Sequence, residues 1–126
     1  MHDKAGPGRL RAGADRPIVY IAGPYSSNPA RGTNAAMRAF DSLFAASTPI
    51  CPHWTHFQDT FSPRPREDWI GYDLRILEAC DAVFRLPGDS SGADGEVARA
   101  VELKLPVYRT LSRILKWCED WNAKQR

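Results

Sequence analysis

The stretch that most constrains the fold is "PIVYIAG", residues 17–23, a short, continuously apolar and β-branched run ended by Gly23 and Pro24. A strand with one wet face alternates apolar and polar residues, so an unbroken run of this length reads as a central strand covered on both faces. Such strands belong to parallel sheets, and parallel neighbours must be joined by crossovers that are usually helical. The rest of the chain has to supply those helices.

It does so in alternation. From about Asn34 to Ala46, Met37, Phe40, Leu43 and Phe44 share one helical face, with Thr33 or Asn34 as the cap. "TPICPHW" is a short second strand broken by prolines, and "THFQDTFSPRPRED" reads as a long loop beside a site, since its turn residues and aromatics show no period. From Glu67 to Cys80 the helical spacing returns, with Trp69, Tyr72, Ile76, Leu77 and Cys80 inward and Asp68 suited to the positive end of the helix dipole. "DAVFRL" is a third strand, and about Ala93 to Leu103 a helix with Val97, Ala100 and Val101 inward. "LPVYRT" is a fourth strand, and "LSRILKWCEDWNAK" a closing helix with Leu111, Ile114, Leu115 and Cys118 inward. The order predicts a parallel α/β sandwich with helices on both faces of the sheet. Ligands in such folds bind beyond the carboxyl ends of the strands, where strand order reverses, so the loops after Ala22, His53 and Leu86 should carry the function.

With 126 residues the chain is long enough for one core and too short for two. Residues 1–15, rich in Gly, Ala, Arg and Asp without apolar periodicity, are expected to form a mobile tail ahead of a single domain spanning 16–126. Seventeen basic and 15 acidic side chains leave a net charge of +2, too balanced to argue for a nucleic-acid polymer or a membrane surface, and neither is expected as a partner. No run reaches the ~20 apolar residues of a membrane span, and the opening lacks a signal peptide's apolar core. Cys51, Cys80 and Cys118, odd in number and set in apolar segments, read as reduced buried thiols. A soluble, cytoplasmic protein is the expectation.

Two carboxylates stand out. Asp73 lies four residues after Trp69 and four before Leu77, inside the apolar stripe of its helix. It is either at the edge of a wide stripe, paired with Arg75 or Arg85 or capping a neighbouring backbone, or held there for chemistry. Glu96 ends the loop "GDSSGADGEV", where it is either a helix-start acid favoured by the dipole, with Ser91 or Asp94 as the capping side chain, or a reactive group at the carboxyl edge of the sheet. Two carboxylates converging there would suit glycosidic chemistry, one meeting the anomeric carbon and the other managing the leaving-group proton. Tyr20, near the end of the first strand, needs a partner for its hydroxyl, either a backbone carbonyl or one of these carboxylates.

The loops "GPYSSNPARG" and "GDSSGAD" each set paired serines and glycine between a strand and a helix, an arrangement able to hold a phosphate, though neither matches a P-loop or a dinucleotide fingerprint. In "CPHWTH" the spacing of Cys51, His53 and His56 matches no common zinc pattern, so no metal is assigned. His53, Trp54 and His56 are expected at the pocket mouth, where an aromatic ring can stack on a base. Trp117 and Trp121 are expected in packing or a subunit contact.

Taken together, "VYIAGPYS", "EDWIGYDLRILEACDAVFRLPG" and "SSGADGEVARAVELKLPVY" resemble the nucleoside 2-deoxyribosyltransferase superfamily, which includes the 2′-deoxynucleoside 5′-phosphate N-hydrolases, over roughly residues 17–108. The resemblance implies a Rossmann-like, flavodoxin-like three-layer sandwich around a parallel sheet of four or five strands. It implies cleavage of the N-glycosidic bond of a 2′-deoxynucleoside or its 5′-monophosphate through a covalent intermediate on Glu96, with Asp73 assisting the leaving base and Tyr20 bonded to the nucleophile. Gly23, Tyr25, Ser26, Ser27, His53, Trp54, Asp89, Ser90, Ser91 and Gly92 are the expected substrate contacts. Ser90 matches a serine that binds 5′-phosphate in the hydrolases, so hydrolysis is expected over transfer. Deoxyribosyl transfer between bases, and a nucleotide-binding module without turnover, are the alternatives. No cofactor is expected, and a homodimer or larger homo-oligomer is.

Overall fold

A computed structural model describes residues 16–24 and 29–124. The expected tail at 1–15, and Tyr25, Ser26 and Ser27, lie outside the described residues. Four strands form the sheet: β1 (Ile18–Ala22), β2 (Thr48–Ile50), β3 (Ala82–Arg85) and β4 (Val107–Tyr108). Five α-helices join and flank them: α1 (Pro29–Leu43), α2 (Thr55–Phe61), α3 (Arg66–Leu77), α4 (Ser91–Glu102) and α5 (Leu111–Lys124), with a short 3-10 helix at Pro52–Trp54. All pairings are parallel and the order is β2-β1-β3-β4. The expected Rossmann-like three-layer sandwich is therefore what the chain forms, with four strands.

The apolar run of β1 serves two interiors. Val19 and Ile21, with Phe84 and Leu86, meet Ala36, Ala39 and Leu43 of α1 and Ile114 and Cys118 of α5. Tyr20 and Ala22, with Val83, face the other way, against Leu77 and Cys80 at the end of α3 and Ala93 and Ala100 of α4. The chain leaves β1 for β2 on one side and returns to β3 on the other, so the reversal of strand order falls at β1. The crevice that this topology opens lies beyond Ala22 and Arg85.

Several helices differ from the sequence expectation, each for a physical reason. α1 begins at Pro29 instead of near Asn34, because the N–H that proline lacks is one the first helical turn leaves unbonded anyway. Its inward face is drawn by Ala36, Ala39 and Leu43, leaving Met37 exposed. The segment read as a loop contains α2, an exposed helix without a buried residue, so no apolar period announces it. In α3 Tyr72 is 52% exposed, and in α4 Val101 is 65% exposed while the small Ala93 and Ala100 face the sheet. Leu111 of α5 is exposed as well. Trp117 packs on Tyr108 and Trp121, with ring centroids 6.4 and 5.4 Å apart.

At the carboxyl edge the loops after β1 and β3 are in close contact. Leu86 donates its N–H to Ala22 O at 2.7 Å, extending the pairing one residue beyond β3. Gly88 has φ +112°, and a Cβ there would stand 2.7 Å from Cγ of Pro24. Backbone strain and overlap act together at this one position. Gly88→Ala is expected to destabilise the fold by about 1–3 kcal/mol, read as a lower denaturant midpoint with an unchanged slope.

Candidate active site

The loops meet over a cavity of about 880 Å³, a size ordinary for a small-molecule site. Of the expected site residues, Gly23, His53, Asp73, Asp89, Ser90, Ser91, Gly92 and Glu96 line it. Tyr20 is fully buried behind it and donates its hydroxyl to Glu96 Oε2 at 2.5 Å. This contact arises because β1 places Tyr20 on the α4 side of the sheet, while Glu96 lies in the second turn of α4, with its carboxyl turned back toward β1. Asp73 comes from the middle of α3, and its Oδ1 is buried with no hydrogen-bond partner among the described residues.

Both carboxyls are raised, and their partners distinguish them. Burial pushes Glu96 up to about 7, while the Tyr20 hydrogen bond and the Arg85 charge pull it down. Burial, reinforced by the negative charge of Glu96, pushes Asp73 up to about 7 with no compensating partner. Of the two, Glu96 is the one built to hold a negative charge and Asp73 the one built to hold a proton. Burial and the adjacent Glu96 and Asp73 carboxylates drive the Tyr20 phenol far above its ordinary range, so it acts only as a hydrogen-bond donor.

Ser90 is the N-cap of α4: its Oγ accepts from Ala93 N at 3.0 Å. That accounts for a serine at position 90 without a phosphate. Ser91 is exposed, with its Oγ 3.5 Å from a guanidinium nitrogen of Arg66. His53 is buried, its Nε2 3.2 Å from Pro24 O, and burial holds its imidazole below the usual range despite the carbonyls around it. Trp54 lies outside this cavity: it packs edge-on to Phe40, centroids 5.4 Å apart, and borders a neighbouring groove. The tryptophan in the cavity wall is Trp69, anchored by its Nε1–H to Asp59 Oδ1 at 2.7 Å and covered by the Arg64 guanidinium 5.9 Å from the ring centre.

Arg64 and Arg66 were missed as site residues because the "SPRPRED" segment shows charge and proline but no period, and Asp59 because it belongs to the exposed α2, which no apolar pattern marks. The run of arginines between prolines was the available signal. His56 lines the cavity as expected. Among the described residues no group of three His, Cys, Asp or Glu could hold a metal ion, and no helix is long and apolar enough to cross a membrane.

Two solved structures share this fold. A 2-deoxyribosyltransferase from Bacillus psychrosaccharolyticus superposes with a TM-score of 0.55 at 20% identity, covering 71% of this chain and 69% of that one. A 2-deoxyribosyltransferase from Leishmania mexicana superposes with a TM-score of 0.57 at 19% identity, covering 72% of this chain and 61% of that one. No curated protein is significantly similar in sequence. The chain belongs to the family described as a domain of unknown function (DUF7768), which matches residues 17–110. The fold that the sequence resemblance implied is the one these two structures share. The preference for hydrolysis is corrected: both solved structures are transferases, and the serine that suggested a phosphate-using hydrolase is occupied with capping α4.

Proposed function

We propose that the chain transfers a 2′-deoxyribosyl group from a nucleoside, or its 5′-monophosphate, to a second base, with Glu96 as nucleophile. The observation that carries this reading is the Glu96 carboxylate held by the Tyr20 hydroxyl at 2.5 Å in a cavity wall that also presents the unpartnered Asp73 Oδ1. In the first step a Glu96 oxygen bonds to C1′ as the C1′–N bond breaks, and the electron pair leaves with the base nitrogen, which takes the proton from Asp73. In the second, a nitrogen of the acceptor base bonds to C1′ as the ester to Glu96 breaks, and that nitrogen's proton returns to Asp73. Atoms and charge balance over the cycle.

Burial serves both steps. A carboxylate withdrawn from water is a better nucleophile, and a carboxyl kept neutral near pH 7 is a usable acid. Trp69 offers an aromatic face for a base. Activity requires Glu96 ionised and Asp73 protonated, so the chemical step is expected to fall away both below and above a maximum near pH 7.

The test is base exchange. Deoxynucleosides and their 5′-monophosphates, each incubated with a labelled free base, should yield labelled nucleoside by chromatography. A 2′-fluorinated analogue should add one glycosyl mass to the peptide bearing Glu96. Reversible binding of every donor with neither exchange nor adduct would refute the reading.

A further inference from the structure

The β3–α4 segment contains a buried charge that the chemistry above does not use. Arg85 is only 5% exposed. It is the last residue of β3, in register with Ala22, and strand alternation puts it on the face of Val83, Tyr20 and Ala22, the same side as Glu96. Its guanidinium donates to Leu86 O, to Gly88 O at 3.0 Å and to Asp94 Oδ1 at 3.0 Å. Nε is buried and has no hydrogen-bond partner among the described residues.

Each of those acceptors has a position that matters. Leu86 and Gly88 are in the turn that leaves β3, and Gly88 is the residue pressed against Pro24 of the neighbouring loop. Asp94 is in the first turn of α4, two residues before Glu96. One planar group thus ties the strand end, the turn and the helix start into a closed ring. Arginine suits this because its several donors sit in a fixed fork, which a lysine cannot reproduce. A surface ion pair would not need such burial, since Asp94 itself is well exposed.

We infer that Arg85 is a positioning residue for the glycosyl transfer: by clamping the Leu86–Asp94 segment it fixes α4 so that Glu96 faces both Tyr20 and the anomeric carbon. Its charge also lies where it favours the ionised form of Glu96. The other titratable groups that act on Glu96 or feel its charge are Tyr20 on β1 and Asp73 on α3, while His53, His56, Asp59, Arg64, Arg66 and Asp89 line the same cavity. The inference rests on the transfer reading, and its test is arranged to separate the two.

The test compares Arg85→Met, Arg85→Lys and Asp94→Ala with the unmodified chain. For each, the rate of adduct formation on Glu96 from a 2′-fluorinated nucleoside is followed by intact mass, together with base exchange as a function of pH and the melting temperature. Arg85→Met is expected to slow adduct formation about 10–100-fold with KM changed less than about threefold, since an attack geometry is lost and not a binding contact. The acidic limb should also move up by about one pH unit, because removing a nearby positive charge disfavours the carboxylate. Arg85→Lys should keep the limb near its original pH while losing part of the rate, and Asp94→Ala should show a smaller loss. A residue that merely holds the fold together would lower melting temperature and active fraction without moving the limb. If the unmodified chain labels on Glu96 and Arg85→Met labels as fast with the limb in place, the role assigned to Arg85 is wrong and the transfer reading stands. If the unmodified chain never labels, both fall.

Discussion

Glu96→Ala is expected to reduce base exchange on the order of 10³- to 10⁵-fold and to abolish the covalent adduct, while leaving donor binding within a few-fold of its original strength. The expectation follows from the geometry of one hydrogen bond. A fully buried tyrosine hydroxyl has to find an acceptor, and here it finds Glu96 instead of a backbone carbonyl. Structure alone does not require that acceptor to border a cavity. Glu96→Gln separates the roles: it keeps the volume and an oxygen for Tyr20 but cannot form the glycosyl ester. If Glu96→Gln exchanged bases at the original rate, the carboxylate would be a structural partner of Tyr20 and nothing more. Direct rates, with and without acceptor base, decide the matter.

Asp73→Asn is expected to make the protein more stable and less active. The folded-state value of Asp73 is raised from 3.8 to about 7, so the folded chain holds a proton that the unfolded chain releases. Stability tied to this group is therefore fully present below pH about 4, falls as pH rises through the window from about 4 to about 7, and stays reduced above it. At ~1.4 kcal/mol per unit, and discounted for partial solvent access, the difference at pH 8 is on the order of 2–4 kcal/mol. Asparagine carries no charge to bury, so its advantage should be large at pH 8 and vanish near pH 4 in chemical denaturation. The same variant cannot protonate the leaving base and should lose about 10²- to 10⁴-fold in exchange. An Asp73→Asn protein no more stable than the original at pH 8 would show that the carboxyl is not under this strain.

What the sequence revealed, and what it hid, divides along burial. The apolar run of β1 announced a central parallel strand because both its faces are covered, and it placed Tyr20 beside Glu96. Asp73 stood out because a carboxylate interrupted an apolar stripe, and it does line the cavity. Arg85 was read from the sequence only as a possible partner for Asp73, and its ion pair is with Asp94 instead. Near the end of "DAVFRL" it is buried and donates to carbonyls of a turn, whose path no local pattern encodes, and to Asp94. The tryptophan at the cavity was misassigned for a similar reason. Trp54 was nearer in sequence to the histidines, but the 3-10 helix turns it onto Phe40, and the unforeseen α2 instead carries Asp59 to Trp69. Ser90 matched a phosphate contact by position, while its hydroxyl serves the helix that bears Glu96.

The division of β1 between two interiors has a further consequence for variation in this chain. Odd positions Val19 and Ile21 belong to the α1/α5 layer, and even positions Tyr20 and Ala22 to the layer of α3 and α4. Parity along five residues therefore separates the layer beside the candidate site from the layer behind it. Inserting or deleting one residue upstream within that strand would exchange the two sets, sending the phenol into hydrocarbon and an aliphatic side chain against Glu96. Lengthening the exposed α2 would disturb neither layer. Variation in the wall of the cavity has its open route through α2 and the arginine-bearing segment that follows it, while β1 is closed to change in length.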